Sequence, residues 1–369
     1  MGRNIIGDSI CVLRVKVETE NGFDAQVGEK IGELRTQVKA GIFDENYPRS
    51  LVDYVAKNIG NILNVEISGP RSAIAIPLRV AKNFSPESGV AFSSKVGNGG
   101  CGRLIRDFLS EWEIIPALQT AENSDSHVEF KCVCPCGELS EVVIKKSSSK
   151  SFKHAFDIDE IENSVGVKFD TILVNRPRAG LAKAVEKIRK RENPLVSLIV
   201  HDYSKYQSPA DYLAFLEKSD YVFITAEDSD KSVIRGMRKA LGANSYEELG
   251  EKVVQYKLGE VGRRMFLLPP HRDAEQKFIT FFQTGLTPVR VEVPDKIRLK
   301  LKTAWLNGAC VALAAKDWGN AEMEAPFRLD GVLPAAQSDL ETFANWAVNI
   351  AYFGYPDKYF KPERNLILR

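Results

Sequence analysis

Long apolar runs are missing from this 369-residue sequence. No stretch reaches the roughly 18 residues that a membrane-spanning helix needs, and the opening Met1-Gly2-Arg3-Asn4-Ile5-Ile6-Gly7-Asp8 lacks the apolar core of a signal peptide. The expected location is therefore the cytoplasm or an organelle matrix, with no membrane partner. An excess of either charge is missing as well. Fifty Lys and Arg against 49 Asp and Glu give a formal +1, so no bulk field draws the chain to nucleic acid or to an anionic bilayer. Cysteine is sparse, with Cys11, Cys101 and Cys310 isolated and Cys132, Cys134 and Cys136 clustered. That is not the even framework of a disulfide scaffold, and reduced thiols are the default. The histidines His127, His154, His201 and His271 are scattered, with neither metal spacing nor a nucleophile partner.

What is present is ordinary globular material, able to bury one large core or two smaller ones. Ile5-Ile6 and Ile10-Cys11-Val12-Leu13 read as an opening strand interrupted by Gly7-Asp8-Ser9, a turn that lets backbone approach a ligand. Val27, Ile31, Leu34 and Val38, then Leu51, Val52 and Val55, recur at helical spacing around breaks at Gly41 and Pro48 and predict two amphipathic helices. A helical stripe from Ile74 to Val80 follows, then the strand Val90-Ala91-Phe92, a glycine-rich segment from Val96 to Gly102 and a helix from Arg103 to Trp112. Alternation between Val128 and Ile144 around Pro135-Cys136-Gly137 predicts a hairpin crossing the mouth of a cleft.

Beyond the spacer Ser147-Ser148-Ser149 the order becomes strand (Thr171 to Val174), helix (Leu181 to Arg191), strand (Val196 to Val200), helix (Ala210 to Glu217) and strand (Tyr221 to Ile224). Such alternation predicts a parallel sheet with right-handed crossovers. A further helix and strand, the turn Leu258-Gly259-Glu260-Val261-Gly262, an irregular region over 269–300 and helices over 308–316 and 338–352 complete the chain.

Two local clusters admit structural and functional readings. Cys132-Val133-Cys134-Pro135-Cys136 has the chemistry of half a zinc site, but no second pair follows, and packing in the hairpin is the commoner explanation. Lys187-Ile188-Arg189-Lys190-Arg191 complements the carbonyl end of its helix, a structural role that outweighs nucleic-acid binding even though Arg178, Lys183 and Arg189 could share a face.

Six segments stand in a telling order: Ser68-Gly69-Pro70-Arg71-Ser72-Ala73, the glycine run Val96 to Gly102 entering a helix, Tyr221 to Asp228, Lys257 to Gly262, Gly308-Ala309-Cys310-Val311, and Phe343-Ala344-Asn345. Together they resemble the PfkB, or ribokinase-like, family of carbohydrate and nucleoside kinases over most of the chain. The early helices resemble the adenosine and inosine kinase branch in particular. The resemblance implies an α/β fold, a three-layer αβα sandwich with a mainly parallel central sheet and a small β lid. All of 1–369 would be one domain, with lid segments at about 12–22 and 128–145.

It also implies roles for individual residues. Asp8, Gly69 and Arg71 would meet a sugar or nucleoside, with Ala73 near the family's asparagine position. Thr225, Asp228, Lys257, Gly259, Glu260, Gly262 and Asn345 would border the nucleotide, Thr225 and Asp228 replacing the family's asparagine and glutamate and Lys257 its threonine. Gly308, Ala309 and Cys310 would form an anion hole at a helix start. The catalytic aspartate position then falls on Val311 or, sliding the motif onto Ala304-Trp305-Leu306-Asn307, on Asn307, and neither side chain is a base.

The expected function follows from that gap. General-base catalysis contributes about 10² to 10⁴ in rate, so the first reading is a pseudokinase acting by binding a sugar, a nucleoside or a protein partner, with homodimerisation through the lid as one form of partnership. The second is an active kinase that uses ATP and magnesium, with Asp228, Asp295 or Asp317 as a relocated base. A third is a structural subunit of a larger complex, suggested by the aromatic tail Tyr352 to Phe360.

Overall fold

The computed structural model describes residues 3–9, 11–19, 29, 62–71, 74–122, 126–133, 139–144, 156–175, 179–200, 209–224, 232–273, 276–293, 302–318 and 325–353. In chain order the strands are β1 (Ile5–Asp8), β2 (Val12–Thr19), β3 (Ile62–Arg71), β4 (Val90–Gly97), β5 (Ile115–Ala121), β6 (His127–Val133), β7 (Leu139–Ile144), β8 (Thr171–Val174), β9 (Leu195–Val200), β10 (Tyr221–Ile224), β11 (Met265–Asp273), β12 (Gln276–Gln283), β13 (Val289–Val293), β14 (Leu329–Asp330) and β15 (Leu333–Pro334). The helices are α1 (Ala75–Phe84), α2 (Gly100–Glu111), α3 (Ile158–Val165), α4 (Ala179–Arg189), α5 (Pro209–Leu216), α6 (Ser232–Leu241), α7 (Tyr246–Gln255), α8 (Lys302–Ala315) and α9 (Gln337–Phe353). No described helix is long and apolar enough to cross a membrane. Two compact units result, Met1–Ser9 with Ile76–Ala91 and Phe156–Arg369, and Ile10–Ala75 with Phe92–Ala155.

The first unit is built on a sheet of order β13-β12-β11-β10-β9-β8-β1. β1, β8, β9, β10 and β11 run parallel, β12 pairs antiparallel with β11, and β13 pairs antiparallel with β12. Thr171-Ile172-Leu173-Val174, Leu195 to Val200 and Tyr221-Val222-Phe223-Ile224 are buried throughout, the continuous apolar pattern of strands covered by helices on both faces. Helices α4 to α7 supply the crossovers between these strands. At the far end Ile5 N–H donates to the Gly89 carbonyl at 2.7 Å, setting the start of β4 beside β1.

Paired charges pin the connections. Arg189, ending α4, grips Asp220 through two hydrogen bonds of 2.9 and 2.7 Å, and the same carboxylate accepts the Val196 N–H at 2.7 Å. Lys187 pairs with Asp159, and Arg191 with Glu162 at 2.5 Å. The basic run of the sequence is thus tied internally at three of its members. Arg264 is fully buried and donates to the carbonyls of Ser219, Val253 and Tyr256 at 2.9, 2.8 and 2.7 Å. Burial pushes its pKa down to about 10.

The second unit holds a four-stranded sheet of order β3-β2-β6-β7, with β2–β3 and β6–β7 antiparallel and β2–β6 parallel. The expected lid segments contribute β2, β6 and β7 to it. In the same unit α2 follows the glycine-rich segment, where a side chain on Gly102 would collide with the Gly97 carbonyl.

Several expectations need correction. Gly7 and Asp8 are not in a turn but complete β1, paired with Leu173 and Val174. Ser68-Gly69-Pro70 lies inside β3, where Gly69 faces Arg14 and Pro70 faces Leu13; β3 is an edge strand of its sheet, where a missing proline N–H is tolerated. The supposedly irregular region 269–300 is a strand meander as far as Val293, with Pro269-Pro270 absorbed by a bulge between Leu268 and His271. The helix expected from 308 starts at Lys302. Apart from Glu29, the helices expected between Phe23 and Asn58 lie outside the described residues, as do the cysteines Cys134 and Cys136 and most of the aromatic tail.

Candidate ligand site at the carboxyl edge of the sheet

Ligands of open α/β sheets bind outside the carboxyl ends of the strands. In the first unit β1 ends on Asp8 and β8 on Val174, and these two residues are register partners. Ser9 and Asn175 therefore leave the sheet side by side. All three polar residues of this edge are buried, Asp8 1% exposed, Ser9 3% and Asn175 4%. The Asn175 main-chain carbonyl accepts the Tyr212 hydroxyl of α5 at 3.3 Å, which fixes the backbone there. Its side-chain oxygen has no hydrogen-bond partner. A buried acceptor without a donor costs about 1–3 kcal/mol, and a ligand hydroxyl is the kind of group that would remove this cost. Asp8 was singled out from sequence; Asn175 was not, although its place directly after the apolar run Thr171-Ile172-Leu173-Val174 is the signal that could have found it.

Helix α8 holds both segments on which the sequence placed the catalytic position. Its last turn sits at the opposite, amino edge, where the Arg3 N–H donates to Ala315 O at 3.1 Å and Arg3 Nη1 to Ala314 O at 2.9 Å. Fourteen residues long, it extends about 21 Å, which carries its first turn toward the carboxyl edge. Gly308, Ala309 and Cys310 fall in its middle, so their amides are turned into the helical ladder and cannot form an anion hole; the placement of the motif on 308–311 is corrected accordingly. Ala304 to Asn307 also begins two residues inside the helix. The helix start lies at 302–303, with Lys300 and Leu301 outside the described residues.

The glycine at 308 has a packing role instead. A Cβ there would stand 2.7 Å from Val80 Cβ and 2.8 Å from Pro77 Cα, so α8 and α1 meet at a distance only glycine permits. Val311 is fully buried, and burial pushes the Cys310 thiol pKa well up. Asn307, 2% exposed, keeps an amide nitrogen without a partner. No Asp or Glu occurs anywhere in Lys302–Ala315. Asp317 follows the carboxyl end of α8 and lines a cavity with Arg3 and Asp170, about a helix length from the first turn.

The other expected site residues are dispersed. Gly259 (φ 46°) and Gly262 (φ 65°) adopt left-handed conformations around the single 3₁₀ turn Gly259–Val261, which contains Glu260. Lys257 is exposed and paired with Glu217 at 2.7 Å, 5.5 Å from the Tyr256 ring centre, and the hydrogen bond to Glu217 raises its pKa. Asn345 donates to the Glu341 carbonyl of its own helix at 2.8 Å. Gly69 and Arg71 belong to β3 of the second unit, and Thr225 and Asp228 lie outside the described residues.

No protein-family model matches the chain, and no curated protein matches it in sequence. Solved structures do match. Ribokinase from Thermotoga maritima is 12% identical, with 92% of this chain and 99% of that one covered at a TM-score of 0.53. Adenosine kinase from Trypanosoma brucei brucei is 12% identical over 95% of this chain and 99% of its own, with a TM-score of 0.59. Adenosine kinase from Schistosoma mansoni in complex with adenosine is 10% identical over 95% of both chains, with a TM-score of 0.58. The chain has the ribokinase-like α/β fold, a mainly parallel sheet flanked by helices.

Proposed function

We propose that this protein binds a sugar or nucleoside through its hydroxyl groups at the carboxyl edge of the parallel sheet, and that it transfers phosphoryl groups weakly or not at all. The observation that carries this reading is the composition of α8. Phosphoryl transfer to an alcohol is chiefly positioning and charge stabilisation, assisted by a base that takes the hydroxyl proton. The helix that approaches the carboxyl edge offers no carboxylate for that task. Of the substitutes, Asp317 stands at the wrong end of the helix, and Asp228 and Asp295 lie outside the described residues. The buried acceptor of Asn175 and the buried Asp8 beside it remain suited to holding hydroxyls, which is binding without transfer.

An active kinase is the second reading, and the preserved glycine turn at Gly259 and Gly262 is what favours it. ATP and magnesium would be its cofactors, with the main chain of that turn against the nucleotide. Thermal-shift titration with ribose, other monosaccharides, adenosine and inosine tests the binding claim, because a ligand selective for the native state raises the melting temperature. At least one should give a saturable rise, and Asn175→Ala should weaken its affinity about tenfold, the loss of one buried hydrogen bond. A panel without any rise, or a variant that binds as tightly as the parent, overturns the reading.

A further inference from the structure

The amino edge of the first unit's sheet carries a cavity of about 460 Å³, within the range of about 300–1,000 Å³ usual for small-molecule sites. Arg3, Asp170 and Glu192, from the segments leading into β1, β8 and β9, line it together with Lys316, Asp317, Trp318 and Leu329. This is the opposite edge from Asp8 and Asn175.

The cations in the wall are already engaged. Arg3 donates through Nη1 to Ala314 O at 2.9 Å and through Nη2 to Gly331 O at 3.5 Å. The Lys316 ammonium stands 4.5 Å from the centre of the Phe84 ring and 5.4 Å from that of Trp318, and it reaches Phe84 O at 3.5 Å.

Of the three carboxylates, Asp317 has contacts of its own, and Asp170 and Glu192 are less occupied. Asp170 accepts from the neighbouring Thr171 hydroxyl at 3.3 Å, and Glu192 is exposed. Burial raises the Asp170 carboxyl pKa, and the attraction of Arg3 offsets this only in part, as expected where lost hydration is incompletely replaced. The closing carbonyl end of α8 adds partial negative charge to the same space. Leu329 and Trp318 are the larger apolar side chains among the lining residues.

We propose that this cavity binds a small aliphatic amine or guanidine, its cationic group held by Asp170 and Glu192 and its carbon chain against Leu329 and Trp318. Such a ligand would add to any sugar or nucleoside at the other edge, and the proposal does not depend on one binding there. Isothermal titration of the full chain with 1,4-diaminobutane and with agmatine, set against acetate and inorganic phosphate, tests it. One or both amines should bind saturably below roughly 10 mM, and Asp170→Asn and Glu192→Gln should each weaken binding about tenfold, as for loss of a charge-assisted hydrogen bond. Glu192 is exposed, so E192Q keeps the test decisive even where D170N fails to fold. Amine binding that is absent or unsaturable, binding unchanged in E192Q, or binding of phosphate in place of amines overturns the proposal.

Discussion

At Gly308 one absent methyl group decides how closely two helices approach. Gly308→Ala would set a Cβ 2.7 Å from Val80 and 2.9 Å from the Pro77 carbonyl, and relieving that overlap requires α8 and α1 to part. The expected cost is about 1–3 kcal/mol, read as a lower urea midpoint with an unchanged slope. The sequence invites a different reading of this residue, because glycine-alanine followed by a helix also describes a phosphate-binding helix start. Only the position of the first helical turn, six residues earlier, separates the two. The neighbours Arg263 and Arg264 show the same limit. They are adjacent and identical in sequence, yet Arg263 pairs with the exposed Asp330 at 2.9 Å while Arg264 is sealed beneath α7. Which of two arginines turns inward is seen only in the tertiary fold, where the carbonyls of Ser219, Val253 and Tyr256 receive Arg264.

Among the elements, α7 carries its start signal openly. Ser245 caps it by accepting the Glu248 N–H at 3.0 Å, and Glu248 in turn accepts the Asn244 N–H at 2.7 Å, a reciprocal arrangement close to a capping box. Glu248 also pairs with Lys252 at 2.7 Å. The hydrogen bond from Lys252, followed by that from the Asn244 backbone, lowers its pKa from 4.5 to about 2. A carboxylate depressed in the folded state contributes stability that is fully present above its unfolded value and is lost as pH falls through the folded value. Glu248→Gln should therefore lower the melting temperature at pH 6, with the difference from the parent shrinking between pH 4.5 and pH 2. A difference that stays constant over that window would contradict the assignment.

The strands β8, β9 and β10 are legible to within a residue, because apolar runs separated by helical periodicity have one economical arrangement. β11 to β13 are not, since Pro269-Pro270 imitates a chain break that the structure accommodates as a bulge.

For the whole molecule, order along the chain was enough to recognise the fold, and the solved kinases of sugars and adenosine share it at 10–12% identity. The candidate site was only half legible. Asp8 could be named from the triplet Gly7-Asp8-Ser9 and the family resemblance, but Asn175 acquires meaning only when β8 is known to neighbour β1. That Lys302–Ala315 holds no Asp or Glu was visible in sequence, whereas the position of that helix's first turn was not. We propose that this fold retains a ligand edge and transfers phosphoryl groups weakly or not at all. The most direct measurement is transfer of labelled γ-phosphate from ATP, with magnesium, to a panel of monosaccharides and nucleosides, with and without the protein. No protein-dependent phosphorylated product is expected from any acceptor; sustained, protein-dependent turnover of even one would contradict the claim.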